Sequence, residues 1–346
     1  MKINCATVVF VLFSNIVLAQ QVTSDYAEIY DDAVLSQNSS HFEQLLHRMY
    51  NVFSDKMTSE ERSKFVGVRI LCPNFGVSKT PFDLYSHFDS GKGTVLMSAL
   101  SLKFFEDLCT AYAWLYTNHY SLETVDQYVT MLRVRRPKDF KGGRYPMPLE
   151  ALYIPANALS DSRVDDLSLR FRNEGFAFIL AHELGHVYWR HGSKVDKISD
   201  QESRSHEEEA DDFAIELLRR TSTIPMGAIL FFEATTYFFF PARDSNSSQD
   251  DWNAHPDLHA THPLNAARLE RIAVKLNEAA PDFSRWEKTE ASKQNTIEVV
   301  RFIAAKLSSI AETLKNPEFF ETMAKRMAKM DPTELAPKLI SSNSER

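Results

Sequence analysis

Glycine is scarce in this sequence, at 10 of 346 residues. Because long helical periodicities are also common, the sequence predicts a mainly α fold. Basic residues are not in excess either, since 39 lysines and arginines face 47 acidic residues, which gives a formal charge of -8. A nucleic-acid-binding protein is normally basic, so we expect no nucleic-acid partner. The length is sufficient for a well-buried core, in one large domain or two small ones.

Cysteine is rarer still, with 3 residues, and one of them, Cys5, lies in an apolar N-terminal segment. Two interpretations of Cys72 and Cys109 remain open, a single disulfide and two buried free thiols, because a sequence gives no distance between them. Neither residue has a second cysteine or a histidine at metal-ligand spacing. The sequence therefore does not favour a metal site built on cysteine.

The two most apolar runs are both too short to span a bilayer comfortably. The first, residues 5–18, follows Lys2 and precedes a small residue, Ala19, as in a secretory signal peptide. We expect cleavage after Ala19 and a secreted or periplasmic protein, and an uncleaved anchor is the alternative interpretation. The second run, residues 229–240, carries Glu233.

The most informative stretch is residues 176–190, FAFILAHELGHVYWR, whose apolar residues recur at helical spacing. His182 and His186 are four residues apart and therefore lie on one face of a helix, one turn from each other. Two neutral imidazoles in this arrangement can bind one zinc ion, and Glu183 between them can reach a water at the metal. Zinc lowers the pKa of that water, and the carboxylate accepts its proton. The stretch predicts a zinc peptidase. Gly185 inside the helix predicts close packing against a neighbouring element.

Two histidines leave a catalytic zinc one protein ligand short. The candidates lie in residues 205–214, where Ser205 with Glu208 predicts a capping box that opens a helix. His206 and Glu207 both lie near the apolar stripe of that helix, and periodicity alone does not choose between them. Asp211 follows Glu207 by one turn, so it can accept a hydrogen bond from a ligand histidine.

The combination of H-E-x-G-H with E-x-x-A-D-x-x-A resembles the HtpX, BepA and CAAX-prenyl-protease family of gluzincin metallopeptidases. The resemblance implies that His182, His186 and Glu207 bind one Zn²⁺ ion and that Glu183 is the general base. It also implies that Asp211 supports a ligand from outside the coordination sphere. His191 matches a further histidine of the family pattern, and we assign it no catalytic role.

A later segment, His262-Pro263 with Arg268, resembles the H-P-x-x-x-x-R segment of the same family. By that resemblance His262 stabilises the tetrahedral oxyanion and Arg268 braces the site. The alternative for His262 is N-capping of a helix, and His255 or His259 can take its place. The resemblance covers residues 151–272, about a third of the chain, and the family's glycine-rich hairpin and membrane spans are not evident.

Around this core we expect a short edge strand or small sheet and surrounding helices, in a zincin-like fold. Residues 151–154, bounded by prolines, predict the edge strand, which we expect to bind an extended substrate backbone. Residues 229–240 are expected to be core beneath the zinc site, or alternatively an aromatic wall of the cleft. Loops are expected at 79–93 and 133–144, the second basic and solvated. Apolar periodicity predicts helices at residues 41–53, 94–118, 122–132, 161–170, 174–191, 263–278, 293–314 and 317–330.

The prediction divides the chain into a signal peptide (1–19), an N-terminal helical region (20–144), a metallopeptidase core (145–280) and a C-terminal helical region (281–346). We expect a zinc-dependent endopeptidase that hydrolyses peptides or proteins, including unfolded ones. The main alternative is a zinc-binding chaperone or interaction module with little proteolysis, although such a module has no need of Glu183. A zinc amidase acting on cell-wall peptides is a third hypothesis, which shares the site and differs in substrate.

Overall fold

The computed structural model describes residues 25–77, 79–89, 91–191, 199–240 and 264–339. The α-helices of these residues are α1 (Asp32–Lys56), α2 (Ser59–Lys64), α3 (Ala99–Thr117), α4 (Glu123–Val134), α5 (Pro148–Ala151), α6 (Ser162–Trp189), α7 (Asp200–Thr221), α8 (Met226–Phe239), α9 (Ala266–Phe283), α10 (Glu290–Leu314) and α11 (Pro317–Lys329). The strands are β1 (Arg69–Leu71), β2 (Leu84–Asp89) and β3 (Lys92–Met97). The prediction of a mainly α fold with a small sheet is confirmed.

The sheet lies in a part of the chain where the sequence predicted none. Its order is β1-β3-β2, with β1 parallel and β2 antiparallel to β3. A hairpin joins β2 to β3, and Gly91 adopts a φ of 81° at its turn, a conformation that glycine reaches without steric cost. The loop predicted at 79–93 is therefore largely strand, and the helix predicted from 94 begins only at Ala99.

The prediction of an edge strand at residues 151–154 is wrong. Pro148 begins the short helix α5, where a proline at the first position costs no hydrogen bond. The chain then turns through Tyr153, which has a φ of 54°. Prolines that suggested the limits of a strand are here a helix start and a turn.

Helix α6 is the element against which much of the fold packs. It contacts α3, α7 and α8 and the strands β2 and β3. Gly175 of α6 faces Gly227 of α8 so closely that a Cβ atom on Gly227 would collide with the α6 backbone. The helices predicted at 161–170 and 174–191 are thus one continuous helix, capped by the Asp161 side chain at its start.

The other predicted helices are present with shifted ends. Helix α1 is longer than the predicted 41–53, and α9 begins at Ala266 rather than at residue 263. Helices α9 and α10 pack against each other, and α11 packs against α4. The apolar residues of all these elements form one continuous core. None of the described helices combines the length and the apolar character that crossing a membrane requires.

Cys72 and Cys109 are two separate buried thiols. Burial, helped by the charge of Glu43, raises the pKa of Cys72 to about 12. Burial also raises the pKa of Cys109 well above its ordinary value. Both side chains therefore behave as small apolar groups at neutral pH, because the thiolate is the reactive form.

Candidate metal centre

Helix α6 carries the H-E-x-x-H residues into the interior. His182, Glu183 and His186 expose only 5%, 1% and 8% of their surface. The helix ends at Trp189, and Arg190 takes a left-handed conformation with a φ of 58°. Glycine is the usual residue there, and Gly192, the predicted stop, lies outside the described residues. The left-handed turn lets the His191 amide donate to the His186 carbonyl at 3.0 Å. His191 is thereby placed beside the H-E-x-x-H residues.

Helix α7 supplies the third acidic candidate. It begins at Asp200, and the Ser199 hydroxyl caps it by accepting a hydrogen bond from the Glu202 amide at 3.2 Å. The capping box predicted at Ser205 and Glu208 is therefore wrong, because both residues lie inside the helix. Glu207 lies seven residues after the start of the helix, about two turns in, and is 4% exposed.

The close approach of α6 and α7 brings Glu207 to the histidines. A Cβ atom on Gly185 would lie 2.7 Å from the Ala210 Cα and 2.9 Å from its carbonyl oxygen. Real Cβ atoms do not come so near a backbone, so only glycine fits here. The close packing predicted for Gly185 is confirmed. Since Gly185 lies three residues after His182, and Ala210 three after Glu207, this contact fixes the spacing of the two side chains.

Donor atoms of three residues converge beside this contact. The Nε2 atoms of His182 and His186 are 3.1 Å apart. One Glu207 oxygen lies 3.4 Å from the His182 Nε2, and the other lies 3.5 Å from the His186 Nε2. Tetrahedral zinc with bonds of about 2.0–2.1 Å separates its ligand atoms by about 3.3 Å. The three residues fit a zinc ion in donor type and in spacing.

Asp211 and Arg268 surround the ligand candidates. Asp211 accepts from the Arg268 Nε and Nη2 at 2.7 and 2.8 Å, and one of its oxygens lies 2.9 Å from the His182 Nδ1. The Arg268 Nη1 donates to Glu207 at 2.8 Å, and the guanidinium also lies over the ring of Phe232. The Asp211 carboxylate beside Nδ1 favours the tautomer of His182 with its proton there, which leaves the Nε2 lone pair for the centre.

The charges of these groups favour a divalent cation. Burial raises the pKa of Asp211, but the Arg268 and His182 contacts outweigh it and lower that pKa to about 2. Burial lowers the pKa of His182, and Asp211 and Glu207 raise it by a larger amount. The carboxyl groups of Glu183, Glu207 and Asp211 outnumber the one guanidinium, Arg268, at this centre, and an excess of acidic groups suits a cation.

His186 is oriented by an outer chain of side chains that the sequence did not reveal. The Nε2 of His191 lies 2.8 Å from Glu209, and its Nδ1 lies 2.8 Å from the Nδ1 of His186. A carboxylate only accepts, so His191 donates to Glu209, and its bare Nδ1 accepts from His186. His186 therefore also turns an Nε2 lone pair to the centre. Burial lowers the pKa of His191, which keeps it neutral.

The choice between His206 and Glu207, which periodicity left open, is settled as a matter of position. Glu207 lies at the centre, whereas His206 stacks on His191 with ring centroids 3.9 Å apart. The structure thus brings together His182, Glu183, His186, Glu207, Asp211 and Arg268. Their catalytic and metal-binding roles stay predictions. His255, His259 and His262 lie outside the described residues.

The run at residues 229–240 forms most of α8, beside the site. Phe232 and Phe238 are buried in the core, as expected of a segment beneath the site. Phe231, Phe232 and Phe239 also line a cavity that reaches His182 and Glu183. The two interpretations of this run, core and aromatic wall, therefore both apply, to different residues.

A family model described as Peptidase U49 matches residues 173–287 of the chain. The match covers about a third of the sequence, from the middle of α6 to just past α9. It contains the whole candidate centre and indicates a peptidase, so a protease is supported at this coarse level. No curated protein and no solved structure matches the chain.

Proposed function

We propose that this chain is a zinc-dependent endopeptidase with Glu183 as its general base. The observation that carries the proposal is the meeting of His182, His186 and Glu207 beside the buried Glu183 carboxylate: the two Nε2 atoms are 3.1 Å apart, and each lies within 3.5 Å of one Glu207 oxygen. The match to a peptidase family over the same residues supports it. A finer relation to the HtpX, BepA and CAAX-prenyl-protease gluzincins is part of the proposal.

His182, His186 and Glu207 would hold the zinc ion, which would supply a Lewis acid for the scissile carbonyl and for water. Glu183 accepts the proton of the attacking water and later passes it to the leaving amine. Asp211 and the His191–Glu209 pair keep both histidines in the tautomer that presents Nε2 to the metal. Arg268 keeps Asp211 ionised and holds Glu207 in place through its contact at 2.8 Å, and a role for His262 as oxyanion donor is part of the proposal.

The substrate we propose is a peptide or protein in an extended or unfolded form. We also propose a secreted or periplasmic location, which rests on the N-terminal run before Ala19 and lies outside the described residues. Neither a nucleic-acid partner nor a membrane span after cleavage of the signal is part of this proposal.

The test is digestion of an unfolded protein mixture by the parent and by a Glu183→Gln variant, with the zinc content of both measured. We expect about one zinc per chain in each protein. We expect cleavage by the parent and a loss of at least about 10²-fold in the variant. Cleavage by both proteins contradicts the role of Glu183. Zinc in both with cleavage by neither favours the chaperone or interaction module, and an absence of zinc contradicts the metal site.

The pH dependence of the rate is a second measurement on the same proteins. Glu183 accepts a proton only when it is ionised, so the activity of the parent falls at low pH. A pH–rate profile that stays flat on its acid side contradicts Glu183 as general base.

A further inference from the structure

A small apolar cavity opens directly beside the candidate centre. Its wall includes His182 and Glu183 from α6, so an occupant lies next to the atoms that we assign to catalysis. The remaining wall comes from the segment that leads into β2, from α6, α8 and from the start of α9, and consists of Phe82, Leu84, Phe178, Ile179, Phe231, Phe232, Thr235, Phe239, Leu264 and Arg268.

Apart from His182 and Glu183, which belong to the candidate centre, the polar members of this wall have their hydrogen-bonding groups engaged elsewhere. The Thr235 hydroxyl donates to the Phe231 and Phe232 carbonyls of its own helix at 2.8 and 3.1 Å. The Arg268 guanidinium is bound to Asp211 and Glu207. Away from the candidate centre the cavity therefore presents carbon atoms to an occupant, and burying a charged or amide side chain there would be costly.

The volume of the cavity limits the size of its occupant. It encloses about 40 Å³, whereas a cavity that holds one water molecule needs about 10–15 Å³ by the same measure. The space therefore suits about three or four carbon atoms. That is the size of the side chains of valine, leucine, isoleucine and methionine, and it is too small for a phenyl or indole ring.

We propose that this cavity is the specificity pocket of the enzyme and binds an aliphatic side chain of the substrate residue beside the scissile bond. The inference rests on the proposed peptidase function and names its substrate class. Burial of the substrate side chain helps to stabilise the transition state of the reaction, because the pocket shares His182 and Glu183 with the reaction centre. An aliphatic pocket of this kind discriminates by roughly 10-fold to 200-fold per missing or excess methylene.

The experiment compares the parent with a filled-pocket variant, Thr235→Phe, and an enlarged one, Phe231→Ala. Cleavage sites in a peptide mixture are identified by mass spectrometry, and kcat/KM is measured on peptides that differ only in the residue beside the bond. We expect the parent to favour leucine over glycine and over phenylalanine by at least about 10-fold. Thr235→Phe shifts the preference to glycine and alanine, and Phe231→Ala admits phenylalanine. Val274→Phe, an equal enlargement at an exposed position of α9, keeps the parent's preference.

A binding measurement separates this inference from the proposed function. Leucine hydroxamate and glycine hydroxamate bind zinc through the same group, and their affinities for the zinc-loaded Glu183→Gln variant are compared by calorimetry. Tighter binding of the leucine compound by about 10-fold supports the pocket even if the parent cuts no peptide, which would overturn the function alone. Cleavage without side-chain preference, or equal affinities, overturns the pocket and leaves the function standing. If no zinc is held, both proposals fall.

Discussion

Two groups of carboxylates in this protein are shielded from water, one buried and one half-buried, and they differ in what neutralises them. Glu207 and Asp211 share the buried Arg268 guanidinium, and the pKa of Asp211 is lowered to about 2. Asp126 of α4 and Glu233 of α8 face a second cavity, of about 440 Å³, and neither forms a hydrogen bond or salt bridge with a described residue. Burial raises the pKa of both, and the Glu233 charge raises that of Asp126 further.

This difference shows that burial alone does not make a carboxyl group an anionic metal ligand. A carboxyl group that leaves water prefers its neutral form unless a cation stands in contact with it. Near Asp126 and Glu233 the available cation is Lys306, which lowers the pKa of Glu233 without overcoming burial. At the candidate centre Arg268 is close enough to lower the pKa of Asp211 in spite of its burial. A metal site needs ionised oxygens at neutral pH, and Arg268 is what distinguishes the two groups.

Removing that guanidinium is the largest expected disturbance. The substitution Arg268→Met leaves Glu207 and Asp211 buried without their partner, which should cost about 3–5 kcal/mol of unfolding free energy in the metal-free protein. Urea unfolding measures it, and zinc titration should show weaker binding. The control is Arg271→Met on the same helix, whose ion pairs are more exposed and which should cost less than about 1 kcal/mol. Equal losses in the two variants would show that contact with the carboxylates is not what Arg268 contributes.

The spacing of the two helices can be disturbed without touching a charge. In Gly185→Ala the new methyl group meets the Ala210 backbone, and the strain should cost about 1–3 kcal/mol despite the better helix propensity of alanine. Because Glu207 moves away with α7, zinc affinity should fall as well. Adding Ala210→Gly should not restore either quantity, since the nearest atoms are the Cα and the carbonyl oxygen. A stable variant with unchanged zinc affinity would mean that the close approach does not set the ligand spacing.

The outer contact of His186 should affect metal binding more than folding. His191→Phe keeps the ring that stacks on His206 but removes both nitrogens, so His186 loses the partner that fixes its tautomer. We expect zinc affinity to fall by roughly 10–100-fold, measured by competition with a chelator, while the metal-free protein unfolds nearly as before. The matched variant His206→Phe keeps the same stack and touches no proposed ligand, so its zinc affinity should change little. Equal effects of the two substitutions would assign the change to packing.

At the candidate centre, helical periodicity was enough to predict the relative positions of several residues. The spacing of His182 and His186, the glycine between them and the position of Asp211 are local facts of one helix or of its neighbour. The choice of Glu207 over His206 came from a family resemblance, because both lie near the same helix face. The contact of His191 with His186 could not be predicted from the sequence, because it depends on a left-handed conformation of Arg190 at a position where glycine is usual.

The position of the sheet was missed for a different reason. A three-stranded sheet is defined by pairing between segments, and β1 pairs with β3 across more than twenty intervening residues. Within β3 the buried residues Thr94 and Val95 are consecutive, so the alternation that marks a half-exposed strand is blurred. The start of α7 was missed because Ser205 and Glu208 fit a capping box locally, while Ser199 does the capping six residues earlier.

The smallest expected effect is an increase in the free energy of unfolding, and it concerns the second group of carboxylates, Asp126 and Glu233. A carboxyl group whose pKa is raised in the folded protein binds more protons folded than unfolded, so it stabilises below its unfolded pKa of about 4.3 and loses that contribution as pH rises through the folded pKa. Glu233→Gln cannot ionise and removes a charge from beside Asp126. Its unfolding free energy should exceed that of the parent by on the order of 1 kcal/mol at pH 8 and should match it near pH 4. Urea unfolding at both pH values measures this, with the exposed Glu278→Gln as a control that changes neither. A Glu233→Gln variant less stable than the parent at pH 8 would mean that this carboxylate, like those at Arg268, has a cationic partner that holds it ionised.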